Sequence, residues 1–382
     1  MKKLGFGLLR LPTKRGGPGG YDWELIEQMV DLYLERGGRY FDTCYTYLDG
    51  YSETAVKRCL AERKPREAFV LCDKLPGYLC RSQEDCRRYF KEELARCGVT
   101  YFDVYMLHWL NADHVRIAEQ TGQFSFLEEL KRKGLVRKTG FSYHDSADLL
   151  DRVLTDHPEI DVVQLQINYL DWESAGIESR RCYETAVRHG KGVYVMEPVK
   201  GGQLASLPPE AEALLRAAER RGSDVGDGCL TNRLVGRTPT DWALSFVQSL
   251  PGVEICLSGM SSLAQVEENM REVDPLTSEE VKMLGRVAEI IGAQTRVPCT
   301  GCGYCLPYCP KGIAIPEYFR LYNELSRNPD DGWKIRPVYR QKTQAGAGPA
   351  DCLRCGRCTE HCPQRIAIPD YLKEVAQAFR PV

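Results

Sequence analysis

The sequence predicts a (β/α)8 barrel followed by a small, mainly α-helical second domain. Three observations predict it. Short β-prone runs alternate with helical periodicity eight times along residues 3–292. Asp42, Lys74 and His108 each close such an apolar run, 32 and 34 residues apart, the length of one strand-helix-strand unit. Eight of the 17 cysteines form two C-terminal quartets of identical spacing at an offset of 53. At 382 residues the chain has room for one large barrel and a small extra domain.

Residues 3–11 read as the first strand, followed by a Gly/Pro-rich turn through Gly20. Trp23 to Arg36 carries Ile26, Val30 and Leu34 at helical spacing and stops before Gly37-Gly38. Further strands are expected near 39–42, 68–73, 102–107, 136–141, 161–166, 192–196 and 254–258. Helices are expected near 52–62, 82–97, 124–133, 145–156, 178–189, 239–249 and 262–271. The connection after the seventh strand is long, with a helix near 208–221 and then the Gly-rich run Gly222 to Gly228. Such a rim segment reads equally as a lid or as a floppy insertion. A helix over 277–292 closes the barrel and Arg296-Val297-Pro298 links onward, giving domains 1–296 and 297–382.

Composition narrows the function. With 43% hydrophobic residues, 27% charged residues and a net charge of −2, the chain reads as a globular protein without a nucleic-acid surface. No apolar stretch approaches the ~18 residues of a membrane span, so no membrane partner is expected. The segment after Lys2 and Lys3 is broken by Gly5, Gly7 and Arg10, which argues against a signal peptide and for a cytoplasmic protein. Nine cysteines (44, 59, 72, 80, 86, 97, 182, 229 and 256) are scattered and read as reduced thiols, many packed as small core residues.

Chemistry concentrates in Tyr40-Phe41-Asp42-Thr43-Cys44-Tyr45-Thr46-Tyr47, with Lys74 and His108 behind it. Barrel active sites lie at the C-terminal ends of the strands, so this spacing converges the polar groups on one rim. A surface ion pair with a buried Tyr and His is the bland alternative. In order and spacing these residues resemble the Asp-Tyr-Lys-His tetrad of the aldo/keto reductase family. The resemblance implies hydride transfer from a reduced nicotinamide to a carbonyl carbon. Tyr47 would be the general acid, Lys74 the cation that lowers its pKa, Asp42 the partner that holds Lys74, and His108 the donor orienting the carbonyl oxygen.

The same resemblance implies a cofactor face. Ser142 and Gln166 match the residues that contact the carboxamide. Glu197, Lys200 and Gly201, in Met196 to Gly202, lie where the family wraps the pyrophosphate. Ser258, Gly259, Gln265, Glu268 and Asn269 correspond to the adenosine end. NADPH-preferring relatives carry a Lys and an Arg at the positions of Gly259 and Gln265, where they grip the 2′-phosphate. Their absence leaves NADH, NADPH and a flavin all open. The family also begins with a hairpin under the barrel, whereas this chain starts almost directly at the first barrel strand. Tyr21, Tyr45, Trp109, Tyr143 and Trp172 read either as an aromatic substrate pocket or as packing.

The quartets are Cys299-x2-Cys302-x2-Cys305-x3-Cys309-Pro310 and Cys352-x2-Cys355-x2-Cys358-x3-Cys362-Pro363. Gly303, Ile313, Ile315, Pro316 and Tyr318 recur as Gly356, Ile366, Ile368, Pro369 and Tyr371. Both runs resemble the bacterial two-cluster ferredoxin motif, whose fourth Cys ligates the other cluster. Carried over, one 4Fe-4S cluster takes Cys299, Cys302, Cys305 and Cys362, and the other takes Cys352, Cys355, Cys358 and Cys309. Zinc is the alternative metal, normally held by two C-x2-C pairs. The 42 residues between the runs, with Pro316 and Pro369 placed to start helices, resemble the helical ferredoxin domains of larger redox enzymes. The whole chain is similar to bacterial aldo/keto reductases with a C-terminal 4Fe-4S domain. That implies a carbonyl or alcohol oxidoreductase, with an electron-transfer protein as a second partner. A ferredoxin-fed reductase holding flavin or a reducible substrate in the barrel, and a non-catalytic redox-sensing barrel, stand as alternatives.

Overall fold

The computed structural model describes residues 2–14, 20–224, 236–272, 274–327 and 332–380. Residues 15–19 of the first turn, residues 225–228 of the Gly-rich run, and Cys229 lie outside them. The chain forms two compact units, Met1–Val199 with Thr240–Leu276, and Lys200–Pro239 with Thr277–Val382.

The first unit contains a closed barrel of eight parallel strands in sequence order. They are β1 (Leu4–Gly7), β2 (Tyr40–Asp42), β3 (Val70–Leu75), β4 (Phe102–Leu110), β5 (Val136–Tyr143), β6 (Val162–Gln166), β7 (Gly192–Met196) and β8 (Val253–Gly259). β1 closes the ring on β8, with Leu4 opposite Cys256 and Gly7 opposite Gly259. The outer helices of this unit are α1 (Trp23–Glu35), α2 (Tyr51–Val56), α3 (Gln83–Cys97), α4 (Ala112–Gln120), α5 (Gln123–Arg132), α6 (Ala147–Asp156) and α7 (Ser179–Arg188). In the second unit α8 (Pro209–Asp224) follows; α9 (Pro239–Gln248) and α10 (Leu263–Asn269) belong to the barrel unit, apart from Pro239. Helix starts are fixed by side chains the sequence supplies. Ser82, Asn111, Ser146 and Ser262 each accept the N–H three residues on.

Strand parity places the site. Tyr40, Cys72, Val104, Met106, Val162, Tyr194, Ile255 and Leu257 pack into one buried cluster. Successive side chains on a strand alternate between faces, so Asp42, Lys74 and His108, two residues beyond Tyr40, Cys72 and Met106, share the cluster's face one layer higher. Asp73 and Tyr105, paired in the β3–β4 register, point the other way.

The first strand is shorter than expected, because Leu8–Arg10 turns into a 3-10 helix. The helix over Ala112–Gln120 has no counterpart in the sequence reading; its buried face is only Val115 and Ala118, too thin an apolar stripe to read as periodic.

The second unit carries α11 (Ser278–Gln294), α12 (Ile315–Arg327), α13 (Gly332–Ala345), α14 (Arg357–Glu360) and α15 (Ile368–Ala378) with α8. Its core is built on the internal repeat: Ile313 and Ile315 are buried, as are their counterparts Ile366 and Ile368. Asn323 ties the linker down, accepting from Val297 N at 2.8 Å and donating to Val297 O at 2.7 Å. Gly201, at φ +62°, approaches this linker so closely that a Cβ would lie 2.1 Å from Thr300 O. Gln203 donates to Cys299 O at 2.6 Å.

Candidate active site and cluster cysteines

Asp42 ends β2, Lys74 lies near the end of β3 and His108 lies in β4. Lys74 Nζ is 2.5 Å from Asp42 Oδ1 and donates to Thr43 O at 2.9 Å. The Lys74 side chain is 0% exposed. Burial alone would pull the ammonium's pKa down; the Asp42 carboxylate outweighs that and raises it. Lys74 is therefore a fixed, desolvated cation. Its Nζ lies 5.0 Å from the centroid of the Tyr47 ring. Tyr47 is carried by a turn in which Leu48 and Asp49 take left-handed φ values of 54° and 53° before α2 begins. The His108 ring meets Tyr47 edge-on at 5.8 Å. Burial first, then the charge of Lys74, lowers the His108 pKa well below its usual value, so its imidazole is neutral. All four tetrad candidates come together.

Several of the expected cofactor residues of the barrel unit sit in hydrogen-bonded networks. The β4–β5 register shifts between Leu107 and Leu110, and Trp109 takes φ +62°. Ser142 Oγ accepts the displaced Trp109 N at 2.7 Å. Gln166 and Asn168 both donate to Asp171 Oδ2 at 2.8 Å, and Asn168 also donates to Glu197 O at 3.1 Å. Asn269 donates to Ser258 Oγ at 2.8 Å, and Gln265 Oε1 accepts from Ser261 N at 2.7 Å. Glu268 is partly exposed in α10. Lys200 and Gly201 belong to the second unit, both with left-handed backbone and with Lys200 buried.

Two residues escaped the sequence reading. Arg10 lies against Gly259, where an added Cβ would come 3.1 Å from its Cδ, so a cation does stand beside that glycine, supplied from the other end of the chain. Tyr78 packs against His108 at 6.1 Å and Trp109 at 5.7 Å. Of the expected aromatics, Trp109 thus joins the site through Tyr78. Tyr45 packs on Tyr89 and Arg96, and Trp172 on Tyr183 and Phe246.

Behind Lys74, on the outer face of β3, lies a buried acidic cluster of Glu53, Asp73 and Glu93. Arg96 donates to Glu53 at 3.0 Å, Cys97 to Asp73 at 3.3 Å and Tyr105 to Glu93 at 2.5 Å. Burial, chiefly, pushes Asp73 up to about 7; burial and then the Asp73 charge push Glu53 up to about 9. The folded state therefore holds these protons more tightly than the unfolded chain. The stability they contribute is complete below about pH 4 and is lost as pH rises through those two values. Tm should accordingly fall from about pH 4 into the mildly alkaline range. In Asp73→Asn the fall should become shallower below about pH 7, which differential scanning calorimetry across pH would read.

In the second unit the eight motif cysteines gather into two sets. The Cys305 thiol is pushed up by burial and then by Cys302, Cys299 and Cys362, so the fourth cysteine of the second run lies with the first three of the first. Cys358 is raised by burial, then by Cys352, with Cys309 also contributing. A small pocket is lined by Cys309, Cys352, Cys355 and Cys358 among apolar Ile313, Ile315 and Leu372. Gly303 and Gly356, equivalent in the repeat, both take left-handed φ, at 83° and 77°. Two sets of four thiols on loops shaped by glycine fit a pair of iron–sulfur clusters.

A model of the aldo/keto reductase family matches residues 3–289. The chain belongs to the aldo/keto reductase family. A 4Fe-4S dicluster domain matches residues 298–367. An NADH-specific methylglyoxal reductase of Escherichia coli is 29% identical over 202 residues, 45% of this chain and 60% of that protein. A heterodisulfide reductase C-like protein of Archaeoglobus profundus is 31% identical over 114 residues, 28% of this chain and 55% of that protein. The chain spans about half the length of the first curated relatives it matches, 51% and 46% of two mycobacterial aldo-keto reductases. A Bacillus halodurans aldo-keto reductase in its holo form superposes with a TM-score of 0.57 at 25% identity, covering 75% of this chain and 91% of that one. This aldo/keto reductase therefore joins an eight-stranded parallel barrel to a helical 4Fe-4S domain. Among the described residues no helix is long and apolar enough to cross a membrane.

Proposed function

We propose that this aldo/keto reductase is a cytoplasmic NAD(P)H-dependent oxidoreductase of small carbonyl or alcohol substrates, with two 4Fe-4S clusters that exchange electrons with a carrier protein. Its reductase domain is residues 1–296 and its cluster domain 297–382, a division supported by family matches that end at 289 and begin at 298. The observation that carries the reading is the desolvated Lys74–Asp42 pair beside Tyr47 and His108.

A bound nicotinamide would supply the hydride; the protein supplies the proton and its placement. Tyr47 holds the proton given to the substrate oxygen. Lys74 favours the phenolate left behind, and Asp42 keeps that cation in place. His108, neutral, offers an N–H to the same oxygen. Ser142 and Gln166 would hold the carboxamide. Glu197, Lys200 and Gly201 would hold the pyrophosphate, and Ser258, Gly259, Gln265, Glu268 and Asn269 the adenosine, with Arg10 beside Gly259 as an added cation for a 2′-phosphate. The two cysteine sets would each hold one cluster and supply one-electron chemistry.

Hydride moves two electrons and a 4Fe-4S cluster one, which favours a flavin as converter as the second reading. Anaerobically purified protein should contain about eight iron and about eight sulfide per chain. Zinc in place of iron would overturn the cluster assignment. Adding NADH or NADPH separates the remaining readings. Carbonyl turnover without flavin absorbance supports the hydride reading, and bleaching through a bound flavin supports the relay.

A further inference from the structure

Cys44 is fully buried beside the tetrad candidates and has no part in the roles above. Its Sγ lies 3.1 Å from His108 Nδ1 and 4.0 Å from Nε2. Its other polar neighbours are more distant, Thr46 Oγ1 at 3.5 Å and Lys74 O at 3.8 Å. Burial holds the thiol protonated and, with the Lys74 charge, holds His108 neutral. One proton-bearing contact therefore joins a neutral thiol to a neutral imidazole.

Two arrangements are possible. If S–H donates, Nδ1 is the acceptor, and a neutral imidazole must then carry its hydrogen on Nε2. If Nδ1–H donates, sulfur is the acceptor, which it does weakly, and the S–H turns instead to Thr46 Oγ1 at 3.5 Å or to the Lys74 carbonyl at 3.8 Å. The first arrangement uses the better acceptor at the shorter distance. Thr46 accommodates it, since its hydroxyl can donate to the sulfur while the S–H stays on His108.

We propose that Cys44 is a positioning residue: its thiol donates to Nδ1 of His108 and so holds the ring as the Nε2–H tautomer, the form able to donate to a carbonyl oxygen. The functional side of this rests on the reading of His108 in the proposed reaction. Orientation of a working nitrogen by a partner on the other one is a general device of histidine sites.

The test pairs kinetics with a readout that needs no substrate. In holoprotein labelled with 15N-histidine, a His108→Gln variant identifies the His108 signals among the six histidines. The native protein should show a protonated Nε2 and a bare Nδ1, retained in Cys44→Ser and mixed or reversed in Cys44→Ala. Cys44→Ala should lower kcat by about tenfold or more, with KM and nicotinamide affinity within about twofold, and Cys44→Ser should restore kcat to within about threefold. A bare Nε2 in the native protein, an unchanged tautomer in Cys44→Ala, or equal kcat losses in the Ala and Ser variants would overturn the inference. If the tautomer follows Cys44 as expected but no carbonyl is reduced, the tautomer assignment stands and the proposed reaction falls.

Discussion

Tyr47→Phe should lower carbonyl reduction by roughly 10²–10⁴-fold while nicotinamide affinity stays within about twofold. The substitution removes one oxygen and leaves the ring that packs on His108 and faces Lys74. What is lost is a proton donor whose conjugate base sits beside a desolvated cation. An ordinary phenol titrates near 10 and is a poor acid at neutrality, so a nearby positive charge is what makes the residue useful. Lys74→Met should therefore depress turnover as well, with an added stability loss of about 3–5 kcal/mol, because Asp42 would be left buried without its partner. Steady-state kinetics and fluorescence titration with NADH and NADPH read both variants. Turnover by Tyr47→Phe at the native rate would remove the tetrad assignment.

Cys309→Ser should cost the cluster of the second cysteine run rather than that of its own. Iron should fall from about eight to about four per chain. The surviving cluster should give the same electron paramagnetic resonance signal as in Cys355→Ser, and a different one from Cys302→Ser. The basis is the pocket that Cys309 shares with Cys352, Cys355 and Cys358, and the matching approach of Cys362, like Cys299 and Cys302, to Cys305. If Cys309→Ser and Cys302→Ser lose the same cluster, each run ligates its own and the crossing is wrong.

Much of this was legible in the linear chain because the fold repeats short-range signals. Alternating strands and helices set the barrel, and a residue two beyond an inward-facing one must also face inward; Asp42, Lys74 and His108 could be placed from that alone. The cysteine runs carried their own duplication, and the paired burial of Ile313 with Ile366 and Ile315 with Ile368 follows it.

Other features depend on which distant residues meet. The helix at Ala112–Gln120 rests on a cap from Asn111 and a thin buried face rather than on a periodic stripe. The sequence places no Lys at Gly259, and only closure of the barrel, β1 on β8, brings Arg10 beside it. The acid cluster of Glu53, Asp73 and Glu93 joins α2, β3 and α3, and its raised pKa values come from burial, which a one-dimensional pattern does not carry. Cys44 read as one more reduced thiol until the fold set it 3.1 Å from a ring nitrogen 64 residues away. The sequence by itself determined the architecture and singled out the tetrad and cluster-ligand candidates, since each is written in spacing. The tertiary structure decided which groups are buried and which charges and polar atoms meet, since these depend on through-space distance and on exclusion of water.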